Sequence, residues 1–174
     1  MRRSERRTGV LRDKVCIRGR RALRDREAER LIRRAAHAAL AALALPFGAL
    51  VEVTLVDDDE IREANARFRA KDRPTDVLSF PMLHFYRGAY DGNLASERDP
   101  ESGFVPLGDM LINVERAREQ GEELGHGFAR ECAYLTVHSV LHLAGYDHED
   151  EGEEKRAMRA REEEILRRLG LPRV

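Results

Sequence analysis

The chain has 174 residues, of which 42% are hydrophobic and 36% are charged, and its formal net charge at pH 7 is −1. This length suits one domain with a substantial core, and the composition excludes an intrinsically disordered chain. No apolar run is long enough to span a bilayer, and Cys16 and Cys132 lie in no paired motif, so we expect a cytoplasmic protein that binds no membrane.

The spacing of apolar residues predicts the helices and strands. Residues 1–12 are polar and are predicted to be flexible. The predicted elements that follow are an edge strand at 14–18, a helix at 24–45, a strand at 49–56, a helix from 57 to about 67, a strand at 77–80, a long flexible loop at 82–105, a strand at 106–114, and helices at 115–123, 128–144 and 151–169. The helix at 128–144 is the most apolar and is expected to be central. This order predicts an α+β fold over residues 1–174, with a small sheet of about four strands packed with about five helices.

Positive charge is concentrated at the start of the chain. Residues 1–34 contain 14 Arg or Lys against 5 Asp or Glu. Such a region attracts phosphate backbones, but a solvated helix face followed by a charged tail explains the same excess. Both interpretations stay open at this stage.

Three histidines near residue 140 form the strongest candidate site. His138 and His142 are four residues apart on a predicted helix, so their rings project from the same face. Gly145 can end that helix in the left-handed conformation, and the chain then returns His148 toward the first two rings. Three imidazoles with an open fourth position are typical of a catalytic zinc site, although nickel, copper or iron can also occupy such a set.

The residues around this constellation limit its chemistry. Zinc proteases with the H-E-x-x-H motif have a glutamate after the first histidine, whereas this chain has Ser139, which disfavours a protease. Asp147 could orient a ligand histidine or cap the last helix. The remaining histidines have no comparable partners, and we expect them to be structural or solvent-facing. They are His37, His84 and His126.

Three segments together resemble one known family. The stretch HSVLHLAGYDH, from His138 to His148, resembles the metal motif of the YbeY family, bacterial endoribonucleases that cut single-stranded RNA in ribosomal RNA maturation. The stretch NARFRAKDRPTDVLSFP, from Asn65 to Pro81, and the stretch LGDMLIN, from Leu107 to Asn113, resemble its other two signatures. The order and spacing match over roughly residues 50–150. Ser139 stands where the family usually has glycine, and the loop at 82–105 is longer than usual.

The resemblance implies a small mixed β-sheet with a zinc-hydrolase-like metal cleft and one bound Zn²⁺. It also implies a catalytic arginine near the metal, which maps onto Arg69, with Lys71 and Arg73 as further candidates for binding the RNA backbone. A guanidinium suits this role because it donates paired hydrogen bonds to a phosphate. Asp109, the acid of the third motif, is either a structural carboxylate or a site residue.

These observations lead to three hypotheses about function. The first, implied by the resemblance, is a metal-dependent endoribonuclease that processes the 3′ end of 16S ribosomal RNA and acts in ribosome quality control, with the small ribosomal subunit and its proteins as partners. In this mechanism a metal-activated water attacks the phosphodiester, and Arg69 stabilises the phosphate charge. The second is a metallohydrolase of peptide or amide bonds. The third is a non-enzymatic ribosome-assembly factor with a structural metal. Aromatic residues make up only 6% of the chain, so base stacking is expected to add little specificity.

Overall fold

The structure is a computed structural model that describes residues 12–146 and 152–173. The strands are β1 (Lys14–Gly19), β2 (Ala49–Leu55), β3 (Val77–Pro81) and β4 (Val105–Ile112). The helices are α1 (Arg26–Leu43), α2 (Asp58–Arg69), α3 (Leu94–Glu97), α4 (Val114–Glu123), α5 (Phe128–Leu143) and α6 (Glu153–Arg168). Within the described ranges, no helix is both long and apolar enough to cross a membrane.

The four strands form one mixed sheet in the order β1-β2-β4-β3. The first three strands in this order are parallel, while β3 runs antiparallel to β4 at the edge of the sheet. The parallel pairs are connected through helices, as parallel pairing requires. The α+β fold with a small mixed sheet is therefore confirmed, and β1 is an edge strand as predicted.

The main core lies between one face of the sheet and the helices α1 and α5. Helix α5 contacts α1, α4, α6, β3 and β4, which confirms that the most apolar helix is the central one. Most of its side chains are buried, so its sequence is apolar around nearly the whole circumference. The other face of the sheet carries a smaller cluster, in which Ile61 of α2 packs with Val56 and Leu78.

The predicted helices and strands are present, with ends that differ by one or two residues. The loop at 82–105 is the main difference, because it contains the short helix α3 and a tight turn that joins Tyr86 to Ala89. The side chain of Asn93 starts α3 by accepting a hydrogen bond from the backbone of Ala95. The described chain therefore has six α-helices where about five were predicted. The segment 1–11, most of the region predicted to be flexible, lies outside the described residues.

Candidate active site

A cleft of about 770 Å³ opens where the end of α2, strand β3, the loop after β3, helix α5 and the start of α6 meet. Polar and charged side chains from all five of these elements line it, including Arg69, Lys71, His84, Arg87, His138 and His142. The structure thus brings the predicted arginine and two of the three predicted metal ligands to one cleft, although α2 and α5 are far apart in the sequence.

The two histidines of α5 face each other at close range. The Nε2 atoms of His138 and His142 are 3.1 Å apart, and the ring centroids are 4.5 Å apart with an interplanar angle of 84°. This arrangement follows from their four-residue spacing, which stacks the side chains along one face of the helix.

A buried carboxylate fixes the orientation of the first ring. Nδ1 of His138 lies 2.7 Å from Oε1 of Glu162, whose side chain is only 4% exposed. A carboxylate accepts from Nδ1–H, and in a neutral imidazole this leaves the lone pair on Nε2, the atom that lies nearest His142. Sequence analysis missed Glu162. The sequence does contain an indication of its role. Glu162 lies between Met158 and Ile165 on the apolar face of α6, and a charged side chain buried there needs a polar partner.

The histidine pair fits a zinc ion as two of its ligands. Tetrahedral zinc with bonds to nitrogen of about 2.0–2.1 Å places its ligand nitrogens about 3.3 Å apart. The observed 3.1 Å separation of the Nε2 atoms is close to that value. A carboxylate on the far nitrogen of a ligand histidine is also usual in such sites. The third predicted ligand, His148, and its neighbour Asp147 lie outside the described residues, within which no group of three potential ligands occurs.

Gly145 ends α5 in the predicted left-handed conformation, with a φ of 77°. Its backbone N–H donates to the carbonyl of His142, and the N–H of Tyr146 donates to the carbonyl of Leu141. This pair of bonds is a Schellman motif. A Cβ at position 145 would lie only 2.0 Å from the carbonyl oxygen of Phe85, so the glycine also allows the loop after β3 to approach closely.

That loop is hydrogen-bonded to the end of the histidine helix. The backbone N–H groups of Arg87 and Gly88 donate to the carbonyls of Gly145 and Ala144, at 3.2 and 2.8 Å. Ala144 is the C-cap of α5, where a helix leaves carbonyls without intrahelical partners, and Gly145 is the next residue. The loop therefore satisfies the helix end and forms part of the cleft wall.

The positive side of the cleft comes from the end of α2. Arg69 is the last residue of this helix, and the chain turns at Ala70 with a φ of 54°, which brings Lys71 onto the same wall. Both side chains are exposed and accessible to an anion. Arg73, the third candidate, is not among the lining residues, and its backbone carbonyl accepts a hydrogen bond from Asn65.

Asp109 lies on the other face of the sheet. In β4 it is paired with Glu52 and Phe80, whereas its neighbour Met110 belongs to the core beneath α5. Burial, followed by the negative charge of Glu52, raises the pKa of the Asp109 carboxyl. Asp109 is not among the residues that line the cleft.

Three further residues named in the sequence analysis, His84, His126 and Ser139, can be compared with the structure. His84 was expected to be structural or solvent-facing; it is exposed, but it also lines the cleft. His126 is structural, since its Nε2 lies 2.5 Å from the buried carboxylate of Glu131. Ser139 is fully buried and its hydroxyl lies 2.8 Å from that of Ser79, so it joins α5 to β3.

Comparison with known proteins gives one consistent result. A family model described as Endoribonuclease YbeY matches residues 16–170. A protein named Endoribonuclease YbeY from Caldanaerobacter subterraneus subsp. tengcongensis is 49% identical over 123 residues, which cover 71% of this chain and 75% of that protein. Its namesake from Thermoanaerobacter sp. strain X514 is 50% identical, covering 71% and 76%. The solution structure of TM1509 from Thermotoga maritima matches with a TM-score of 0.52 and 26% identity, covering 90% of this chain and 91% of that one.

Proposed function

The chain belongs to the endoribonuclease YbeY family, and from this premise we propose that it is a metal-dependent hydrolase that cuts single-stranded RNA. The observation that carries the proposal is one cleft that combines the histidine pair of α5 with the cations at the end of α2. A metal site and a phosphate-binding arginine are two components with which a protein can hydrolyse a phosphodiester.

His138 and His142 would hold the ion, with His148 as the predicted third ligand. A zinc ion bound there supplies Lewis acidity, which makes water a nucleophile near neutral pH. Glu162 contributes by holding the ring of His138 in one orientation and one tautomer. The hydrogen bond between the hydroxyl of Ser79 and that of the buried Ser139 joins β3 to α5 beside the histidines.

Arg69 would bind the scissile phosphate. A guanidinium can donate two parallel hydrogen bonds to a phosphate, and these can strengthen as charge builds up on the phosphate oxygens. Lys71, on the same wall, provides a single mobile positive charge for a neighbouring phosphate. A flexible single strand can follow such a wall into the cleft more readily than a stiff duplex.

We further propose that the substrate is ribosomal RNA in the cytoplasm and that the small ribosomal subunit is the partner. The support for this part is the family resemblance together with a basic face on α1. Arg26, Arg30 and Arg33 lie along this helix around a shallow depression of about 470 Å³, which Glu29 also lines with its carboxylate paired to Arg24. The three guanidinium groups outnumber this one carboxylate, and an excess of positive charge on one face favours contact with a phosphate backbone.

The test is cleavage of a labelled single-stranded RNA by His142→Ala and Arg69→Ala variants. We expect Arg69→Ala to lower kcat about 100- to 1,000-fold, the usual effect of removing one donor to a developing anion. Arg167→Ala, an exposed arginine outside the cleft, is the matched control. Undiminished cleavage by both cleft variants would reject the proposal.

The same proteins distinguish the non-enzymatic alternative. Elemental analysis should find zinc in the wild-type protein and lose it in His142→Ala. If His142→Ala still sedimented with small ribosomal subunits and cells carrying it processed their ribosomal RNA normally, the metal would be structural and the chain an assembly factor.

A further inference from the structure

We infer that Tyr86 and Arg87 form a binding subsite for one nucleotide of the RNA, with the base stacked on the Tyr86 ring and its phosphate held by Arg87. The inference rests on the proposed function and identifies how the same cleft selects an unpaired base. Both residues belong to the loop after β3, and both line the cleft.

The exposure of the Tyr86 ring is the first observation. Four large apolar side chains in the described part of the chain are more than half exposed: Phe68, Met82, Tyr86 and Leu124. Among these four, Tyr86 alone lines the cleft, and it is 65% exposed there. Every nucleobase offers a π-face to such a ring, so stacking recognises an unpaired base without reading its sequence.

The second observation is that the backbone beneath the ring is fixed. Tyr86 and Ala89 exchange backbone hydrogen bonds of 2.8 and 2.9 Å, and the two residues between them both have positive φ values, 49° at Arg87 and 80° at Gly88. This is the type I′ geometry of a tight two-residue turn. The turn also donates two hydrogen bonds to the end of α5, so the backbone that carries the Tyr86 ring is held in place relative to His142.

The third observation is the set of charges around the ring. The Arg87 guanidinium lies over the ring at 5.6 Å from its centroid and 3.2 Å from Oε1 of Glu154. The Tyr86 hydroxyl donates to the same oxygen at 3.3 Å. One carboxylate therefore restrains both side chains, and Arg87, which is 43% exposed, remains accessible to a phosphate beside a stacked base.

The inferred subsite departs from the expectation that stacking adds little. That expectation used the overall aromatic content, which is low. Specificity for single strands needs only one ring at the right place, because a base must leave its duplex partner before its face can stack there. Pre-organisation of the ring lowers the entropic cost of binding.

The experiment compares two labelled probes of equal length and charge by fluorescence anisotropy with the metal-loaded protein, read before measurable cleavage occurs. One is a short oligoadenylate and the other is an abasic ribose-phosphate oligomer. We expect Tyr86→Leu to raise the Kd for oligoadenylate about 5- to 150-fold, the range for the loss of one stacked base, and to leave the Kd for the abasic oligomer unchanged. Tyr86→Phe keeps the ring but loses the hydrogen bond to Glu154, so its Kd for oligoadenylate should stay well below that of Tyr86→Leu. Leu124→Ala removes an equally exposed apolar side chain outside the cleft and is the matched control.

Arg87→Gln should weaken binding of both probes. It should also reduce the slope of log Kd against log salt concentration by the amount expected for about one phosphate contact. If Tyr86→Leu weakens binding of both probes equally, or of neither, the subsite is overturned. In that case, loss of cleavage in Arg69→Ala would still support the proposed function. A wild-type protein that neither binds nor cuts the oligoadenylate would overturn both.

Discussion

Replacing Gly145 by alanine should destabilise the protein by more than the backbone conformation alone explains. The residue has a φ of 77°, so alanine there adopts the left-handed region at a cost of about 1–2 kcal/mol. Its new Cβ would also lie 2.0 Å from the carbonyl oxygen of Phe85, where real contacts stay beyond 3.0 Å. The loop must therefore move away by at least about 1 Å.

That movement breaks contacts that hold the cleft together. The hydrogen bonds from Arg87 and Gly88 to the end of α5 depend on the close approach of the loop, and each contributes about 0.5–1.5 kcal/mol net. Their loss adds about 1–3 kcal/mol to the conformational cost. Gly125→Ala is the matched control, since Gly125 has a φ of 73° but nothing within 4 Å of its Cβ position.

The assay is urea unfolding of the wild type and both variants, followed by circular dichroism. Gly125→Ala should lower the free energy of unfolding by about 1–2 kcal/mol and Gly145→Ala by about 2–5 kcal/mol. Cleavage of single-stranded RNA should fall in Gly145→Ala and persist in Gly125→Ala. Equal destabilisation by the two substitutions would refute the argument from the contact with Phe85.

Two further predictions follow from single carboxylates. Glu162→Ala removes the acceptor at Nδ1 of His138 and should weaken zinc binding about 10- to 100-fold, measured in competition with a chelating dye. Glu164→Ala, which removes an exposed carboxylate paired with Arg168, is the control and should bind zinc like the wild type. Equal zinc affinities of the two variants would show that Glu162 does not orient the ligand. The pKa of Asp57 is lowered, chiefly by the hydrogen bond from the backbone N–H of Glu60, so its stabilisation is present above the usual aspartate pKa and is lost as the pH falls through the lowered value. Asp57→Ala should therefore flatten the acid limb of a plot of stability against pH, and an unchanged limb would contradict this.

Features with a local cause could be predicted from the sequence. Asp57 and Asp58 are both residues of the type that caps a helix, and in the structure Asp57 caps α2 and forms a capping box with Glu60. The pairing of His138 with His142 follows from helical spacing alone. In both cases the interacting groups lie within one helical turn, so no knowledge of the tertiary structure is needed.

Features that depend on packing between distant segments could not be predicted. Glu162 is 24 residues from His138, and only the packing of α6 on α5 brings the two together. The face on which Asp109 lies depends on the register of β4 against β2 and β3, and a shift of one residue would reverse it. The motif LGDMLIN around Asp109 carries no information about that register.

Gly145 shows why a correct local prediction can still be incomplete. From the sequence it is a helix stop, and a left-handed glycine satisfies that requirement at many helix ends. The structure adds a second constraint, because the Phe85 carbonyl occupies the space that a Cβ would need. Asparagine, which tolerates the left-handed conformation, would satisfy the first requirement and fail the second. The same contact places the turn that carries Tyr86 beside the histidine helix. We therefore expect the sequence of the loop after β3 to tolerate changes beyond the turn, whereas the close approach of residues 85–88 to α5 requires a glycine at position 145.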